Sequence, residues 1–394
     1  MGNAEGTTCN ASGEQAMKVA LVYRFFCRAG AVPTVAREWA DHLEAAGHEV
    51  VVLASDVRAD EGTRLRTYVP VRVGRWRTFD LGGWVFALGV LVALWRHRRR
   101  PPDIVLCIDS TAYFGVWAAG RLLRRPTIMA FQGWVYSQGK LGLYPRTVAW
   151  AYRLSVHFCA RAAPLVACIS REIYDGLLRC GARPERLWLA PNCVDLELWR
   201  TDKIDAHARD ERQALFVGRF SPEKGLRYLM EAIPSVAARL PGVRVLLVGS
   251  DEGEDGEFHA MARRLGVTDA VEFGGLVERA TLPAIYAAAD VLVVPSLAEG
   301  HPLAPIECLA CGTPVIASDI PGLNETISEG ENGLLVPARD AGALADAMCR
   351  VLGDEELLGR LTRAARPSVV RFAWEPRVGE LAELCAELRR RRSG

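Results

Sequence analysis

Short apolar runs, each followed by a helical pattern, recur along this chain, and no other feature limits the fold as tightly. Val19-Ala-Leu-Val-Tyr23, Val50-Val-Val-Leu53, Asp103-Ile-Val-Leu-Cys-Ile108 and Thr127-Ile-Met-Ala-Phe131 are such runs. Continuous rather than alternating apolar character belongs to strands covered on both faces, as in parallel sheets flanked by helices. The rhythm restarts at Ala214, passes through Val243-Arg-Val-Leu-Leu-Val-Gly249 and reaches Ala289-Asp-Val-Leu-Val-Val294. A charged, loop-like stretch from Arg200 to Arg212 separates the two series. The expected class is therefore α/β, with a doubly wound parallel sheet in each half. A length of 394 residues suits two such domains.

Charge is balanced overall and uneven along the chain. Residues 1–200 hold 26 Lys+Arg and 17 Asp+Glu, a net of +9, so the total of +1 leaves −8 for residues 201–394. A basic first half suits an anionic acceptor or membrane surface, and solvated surface arginines would give the same balance. Arg58, Arg64, Arg66, Arg72, Arg75 and Arg77 fall in a stretch that reads as loop. A mostly apolar helix follows from Leu81 to Trp95, ending in Arg96-His-Arg-Arg-Arg100 and too short to span a bilayer. A second helix is expected from Thr34 to Ala46, and an amphipathic one from Pro376 to Arg392.

Eleven scattered cysteines, several inside apolar patterns (Cys107, Cys168, Cys349), fit buried thiols in a reducing, cytoplasmic setting. Cys308-Leu-Ala-Cys311 lacks a second ligand pair for zinc, so packing is its expected role. Residues 1–16 are polar, without a signal-peptide pattern, and read as a disordered extension with Met17 as an alternative start.

The chemistry concentrates in Pro295 to Asp319. The strand-like run ending at Val294 leads into a Gly- and Pro-bearing turn and then a helix, with Glu299 in the turn and Glu307 about a turn into the helix. A helix N-terminus offers free backbone N–H groups and the positive end of its dipole to an anion. Two carboxylates beside a phosphate site make sense when the ligand also carries sugar hydroxyls. That combination describes a nucleotide sugar.

This stretch resembles the signature of the family-4 retaining glycosyltransferases of GT-B fold, two facing Rossmann-like domains with a cleft between them. Leu215-Phe-Val-Gly-Arg-Phe-Ser-Pro-Glu-Lys-Gly225 is similar to that family's diphosphate-binding segment. Pro191-Asn-Cys-Val-Asp195 resembles the turn near its domain junction, and Val271-Glu-Phe-Gly-Gly-Leu-Val277 its base-binding loop. Gly47-His48-Glu49-Val50 closes the first helix as the family does, and the matches run in order from about residue 18 to Trp374. The resemblance implies that Glu299, Arg219 and Lys224 carry catalysis. Gly218, Gly275, Leu276, Val277, Gly300, His301, Pro302, Leu303, Ala304 and Glu307 would join them around the donor. It also implies retention of anomeric configuration, leaving-phosphate-assisted front-face attack, and no metal or separate cofactor. The donor would be a nucleotide diphosphate sugar, UDP- or GDP-linked, giving up a hexose. Implied boundaries are an extension at 1–16, an acceptor domain at 17–200 and a donor domain at 201–374. A terminal helix at 375–394 would cross back to the first domain.

Several positions depart from the family pattern. Glu299-Gly-His-Pro302 replaces the common Glu-Gly-Phe-Gly, so Pro302 removes one backbone donor while His301 either faces the sugar or substitutes for a packed Phe. Phe131-Gln-Gly133 stands where the family often has His-Gly, placing Gln132 and Gly133 near the donor sugar; Gln cannot titrate. The first loop carries Gly30-Ala31 in place of a glycine pair. A lipid-linked acceptor, with peripheral membrane contact, and a soluble small molecule both fit; nucleic acid does not. A GT-B partner subunit with weakened catalysis and a nucleotide-sugar epimerase are the alternatives from other classes.

Overall fold

A computed structural model describes residues 16–26, 30–55, 68–70, 81–133, 146–200, 212–250 and 256–393. The expected extension up to residue 15, the six arginines from Arg58 to Arg77, and most of the charged break after Arg200 lie outside them.

The chain divides into two compact units, one of residues 1–191 with 374–394 and one of residues 192–373. In the first unit, β1 (Lys18–Val22), β2 (Glu49–Ala54), β3 (Tyr68–Pro70), β4 (Ile104–Cys107), β5 (Thr127–Phe131), β6 (Leu165–Cys168) and β7 (Leu187–Leu189) form one sheet of order 3-2-1-4-5-6-7. Every pairing is parallel, for example Val19 opposite both Val50 and Ile104. Strands β4 and β5 are buried at every position, which is why they read as unbroken apolar runs. The crossovers are α1 (Ala31–Ala45), α2 (Leu81–Arg96), α3 (Tyr113–Leu122), α4 (Arg146–Ala162) and α5 (Arg171–Arg179).

The second unit repeats the plan. Its strands β8 (Gln213–Val217), β9 (Arg244–Val248), β10 (Val271–Gly275), β11 (Val291–Val294), β12 (Val315–Ser318) and β13 (Gly333–Val336) are parallel in the order 10-9-8-11-12-13. Helices α6 (Leu226–Arg239), α7 (Glu257–Leu265), α8 (Leu282–Ala288), α9 (Leu303–Ala310), α10 (Ala341–Gly353) and α11 (Glu355–Val369) accompany them. The core packs Phe216, Leu247 and Val293 from the sheet against Leu229, Ile233 and Met348 from the helices. Each such side chain contributes about 1.5–3 kcal/mol by leaving water.

Four expectations shift. The unit boundary falls at 191/192 instead of 200/201, because Val194 N–H donates to Phe372 O at 2.8 Å and Arg366 donates to the carbonyls of Leu196 and Trp199. Trp374 joins the first unit, where its ring lies 5.0 Å from Trp39 and stacks 4.9 Å from His42; it opens the terminal helix α12 (Trp374–Ser393). The stretch read as loop between Arg58 and Arg77 contributes β3, an edge strand paired with β2. α1 begins at Ala31, three residues before Thr34, because Pro33 is tolerated in a first turn. The cysteines among the described residues are buried and outside any disulfide, Cys308 and Cys311 included. Burial pushes the thiols of Cys107 and Cys159 well above their ordinary value, so they are poor nucleophiles.

Candidate functional site

In an open parallel sheet, ligands bind beyond the carboxyl ends of the strands where the order reverses. In the second unit that point lies between β8 and β11. The loop after β8 holds Gly218, Arg219 and a single 3-10 turn at Pro222–Lys224; the loop after β11 holds Glu299. Topology thus brings together two motifs 75 residues apart.

Gly225 makes their contact close. Its φ of +65° is left-handed, and a Cβ there would sit 1.9 Å from Pro295 O, so no other residue fits without displacing backbone. Leu297 N–H donates to Glu223 O at 2.8 Å and ties the two loops together. Lys224 Nζ then reaches Glu299 Oε1 at 2.7 Å, and Ser296 Oγ donates to the same oxygen at 2.7 Å. Oε2 of Glu299 takes no part in either contact. The pair is only partly exposed, 24% for Lys224 and 9% for Glu299, so their attraction is weakly screened. Arg219 lies outside this pair, 62% exposed and held by Glu223 at 3.0 Å. Burial of Glu223 opposes its charge. Backbone and Ser221 hydrogen bonds, with Arg219 and Lys224, outweigh it and hold the carboxyl below its ordinary value.

Pro302 is the N-cap of α9 and Pro305 stands in its first turn. Prolines at these places leave Leu303 and Ala304 to supply the free backbone N–H groups of that helix end. Glu307, further along α9, is buried and 2.9 Å from Arg279 Nη1; Tyr286 Oη donates to its Oε2 at 3.4 Å. Burial raises its carboxyl above the ordinary 4.5, with Arg279 and the Tyr286 hydrogen bond pulling the other way. The Arg279 guanidinium lies 5.1 Å from the Trp199 ring centre, and Trp199 packs 5.8 Å from Tyr286. Sequence reasoning missed Arg279, Tyr286 and Trp199. Arg279 sits two residues past Val277, yet nothing in that spacing links it to Glu307.

His301 lies within the second unit. Its side chain is buried, with Nε2 3.1 Å from Thr326 Oγ1 and the ring 5.2 Å from Phe372, while its carbonyl accepts from Asn192 Nδ2 at 2.7 Å. Its ring is packed inside the second unit, as a buried aromatic would be. Gly300 O is closely covered by Gly322, where a Cβ would lie 2.3 Å away. Gly275 ends edge strand β10 with a left-handed φ of +63°; Leu276 beyond it is 79% exposed and Val277 half-buried. Because all six strands are parallel, these residues share the sheet end that carries Lys224 and Glu299.

In the first unit Gly30 caps α1 with φ +132° and Ala31 is its first helical residue. Gln132, half-buried, and Gly133, exposed, follow β5 at the same end of the sheet. A buried pair, Arg24 and Asp109, lies 3.7 Å apart after β1 and β4 at that sheet's own reversal point. Among the described residues no three His, Cys, Asp or Glu side chains gather as metal ligands.

Residues 32–198 match the family model described as Glycosyltransferase Family 4, and residues 211–354 the model described as Glycosyl transferases group 1. The chain belongs to the family-4 glycosyltransferases. Family relatives include D-inositol 3-phosphate glycosyltransferase 2 of Catenulispora acidiphila, 34% identical over 234 residues, 56% of this chain and 55% of that protein. The D-inositol 3-phosphate glycosyltransferase of Streptomyces bingchenggensis is 34% identical over 245 residues, 58% and 54% of the two chains. The chain thus spans about half the length of the curated relatives it matches. Among solved structures, sucrose-phosphate synthase from Thermosynechococcus elongatus superposes with a TM-score of 0.79 at 25% identity, over 94% of this chain and 98% of that one. HepE of Anabaena, solved in complex with UDP, gives 0.79 at 22% identity over 94% and 100%. The fold is GT-B.

Proposed function

We propose that this protein is a retaining glycosyltransferase that moves a hexose from a nucleoside diphosphate sugar to an acceptor hydroxyl. The Lys224–Glu299 pair at the β8/β11 reversal point carries the reading: a cation and a carboxylate meet where phosphate and sugar would lie side by side. On donor binding Lys224 exchanges Glu299 for the diphosphate, and Glu299 turns to the sugar hydroxyls. Arg219 and the N–H groups of Leu303 and Ala304 add to the phosphate site. As the bond from the anomeric carbon to phosphate oxygen breaks, negative charge grows on the diphosphate, and these preplaced donors stabilise it. The acceptor oxygen bonds to the anomeric carbon on the same face, and its proton passes to the departing phosphate oxygen. No carboxylate nucleophile is needed. Two side-chain cations supply the countercharge, so the reading calls for neither metal nor cofactor.

Glu307 takes the ribose hydroxyls and Gly275, Leu276 and Val277 meet the base. UDP is the favoured nucleotide, because HepE, of the same fold, was solved with UDP and with UDP-glucose; GDP is the other. The acceptor is an anionic polyhydroxyl compound, which the net +9 of residues 1–200 would attract. A free polyol phosphate, the acceptor class printed in the names of relatives, and a phosphate-linked lipid glycan share that chemistry. Gln132 can donate and accept hydrogen bonds but cannot move a proton.

Calorimetry with UDP, GDP, ADP and dTDP tests the donor site. One nucleotide should bind, and Lys224→Ala should abolish the signal. No binding by any of the four would falsify the assignment and favour a partner subunit of the same fold.

A further inference from the structure

α2 is apolar on every side. Phe86, Val90 and Leu94 are buried in the first unit's core, whereas Trp84, Leu88, Val92 and Trp95 form an exposed stripe along the same helix. A helix apolar all round is ordinarily buried all round, so an uncovered face of this kind marks an interaction surface. The stripe continues onto two neighbours. The Trp84 ring lies 6.2 Å from Phe114 of α3, and Phe158 of α4 lies 5.5 Å from Phe114 and 5.4 Å from Trp117. Leu154 and Trp150 follow at successive turns of α4, the latter 66% exposed. Of the eleven large exposed apolar side chains among the described residues, eight lie on these three helices, which rules out random scatter.

Charge identifies what covers them. Residues 81–170 contain eleven Lys+Arg against two Asp and no Glu. Both aspartates are engaged, Asp103 with Arg125 and Arg389 and Asp109 with Arg24. The Arg98 guanidinium lies 5.3 Å from the Trp95 ring centre and that of Arg121 5.7 Å from Trp117, so cations border the aromatic surface itself. A second copy would set like charges against each other. An anionic bilayer offers what this face requires: hydrocarbon beneath a layer of negative charge, with a headgroup level that favours tryptophan.

We infer that the α2–α3–α4 face docks the protein on an anionic lipid bilayer, with α2 lying in the plane of the interface. The 16 residues of α2 cover about 24 Å at 1.5 Å each, and no helix among the described residues is long and apolar enough to cross a membrane. Attachment is therefore peripheral, by apolar insertion and arginine–phosphate attraction. The docking needs no nucleotide and stands apart from the donor-site reading.

Flotation of the full chain with vesicles tests it, using phosphatidylcholine alone and phosphatidylcholine with about one-third phosphatidylglycerol. The protein should float with the anionic vesicles, stay behind with the neutral ones, and be released as salt rises from about 0.05 to 0.5 M. Replacing Arg98, Arg99 and Arg100 with Glu should weaken partitioning by about a hundredfold or more. Trp150→Glu and Leu88→Glu, exposed and outside the core, should each weaken it by about tenfold with unchanged circular dichroism. Arg360→Glu, exposed on α11, should leave it unchanged. Wild-type protein that fails to float with anionic vesicles overturns the inference, as does flotation that survives both the charge and the apolar replacements. A dimer lost on Trp150→Glu in a protein that ignores vesicles would also overturn it, in favour of self-association. Nucleotide calorimetry on the same preparations reads the donor site independently.

Discussion

The two sheets reverse strand order in the same way, yet the ion pairs at their reversal points are built differently. In the first unit Arg24 and Asp109 are both nearly buried, and Asp109 also accepts from Thr111 N–H and Oγ1 at 3.0 and 2.6 Å. That pair is closed, with Asp109 also held by Thr111 and the Arg24 guanidinium 4.3 Å from the Phe25 ring centre. In the second unit Lys224 stays partly open to solvent on a turn held by Gly225, and one carboxylate oxygen of Glu299 lies outside the pair. An open pair can exchange partners with a ligand. A closed pair of the same charges holds a fold together.

The sharpest way to break this contrast is Lys224→Ala. With loss of a preplaced charge at the leaving phosphate, turnover should fall by about 100- to 1000-fold, while the thermal midpoint barely moves. A large drop in midpoint with turnover intact would mean that the pair is structural like its counterpart. Asp109→Ala is the converse. It removes the carboxylate beside a buried guanidinium and should cost about 3 kcal/mol of stability in denaturant titration, with nucleotide affinity in the surviving folded protein unchanged. Gly225→Ala comes next. A Cβ pressed on Pro295 O in a left-handed conformation should cost about 2 kcal/mol and weaken nucleotide binding as the two loops part.

The smallest effect sharpens the comparison through pH. Glu307 is buried with its carboxyl raised, so its share of folding stability is present below the ordinary 4.5 and fades as pH rises through the raised value. Under the proposed function donor affinity runs the other way, because a ribose contact would use the carboxylate. Affinity should therefore start to fall on acidification at a higher pH than an ordinary glutamate would give. Arg279 opposes that rise, so Arg279→Ala should move the acid limb of nucleotide affinity to still higher pH, and Arg279→Lys should restore it. An unmoved limb would leave Arg279 as packing against Trp199 alone.

Much of the second unit's site was legible because its parts are local. The Gly218–Gly225 segment and the Glu299–Glu307 spacing each lie on one strand–turn–helix passage, where residue type and position along the chain carry the meaning. His301 was open to two readings because its neighbours, Thr326 and Phe372, come from remote segments that no spacing predicts. Arg279 escaped notice for the same reason. The boundary near Arg200 was placed by charge, whereas Val194 and Trp199 belong with the second unit through a backbone hydrogen bond and ring packing. The apolar character of Leu81–Trp95 was plain, but not that its outer stripe joins Phe114 and Phe158 in one surface.

By itself the sequence determined two doubly wound sheets and singled out the cations and carboxylates of the proposed donor site, since periodicity and motif spacing are properties of neighbours along the chain. Only the tertiary structure decided that Lys224 meets Glu299, that Arg279 holds Glu307, and that His301 packs against Thr326 and Phe372, because those contacts join segments remote in the chain that the order of strands in the sheet brings together.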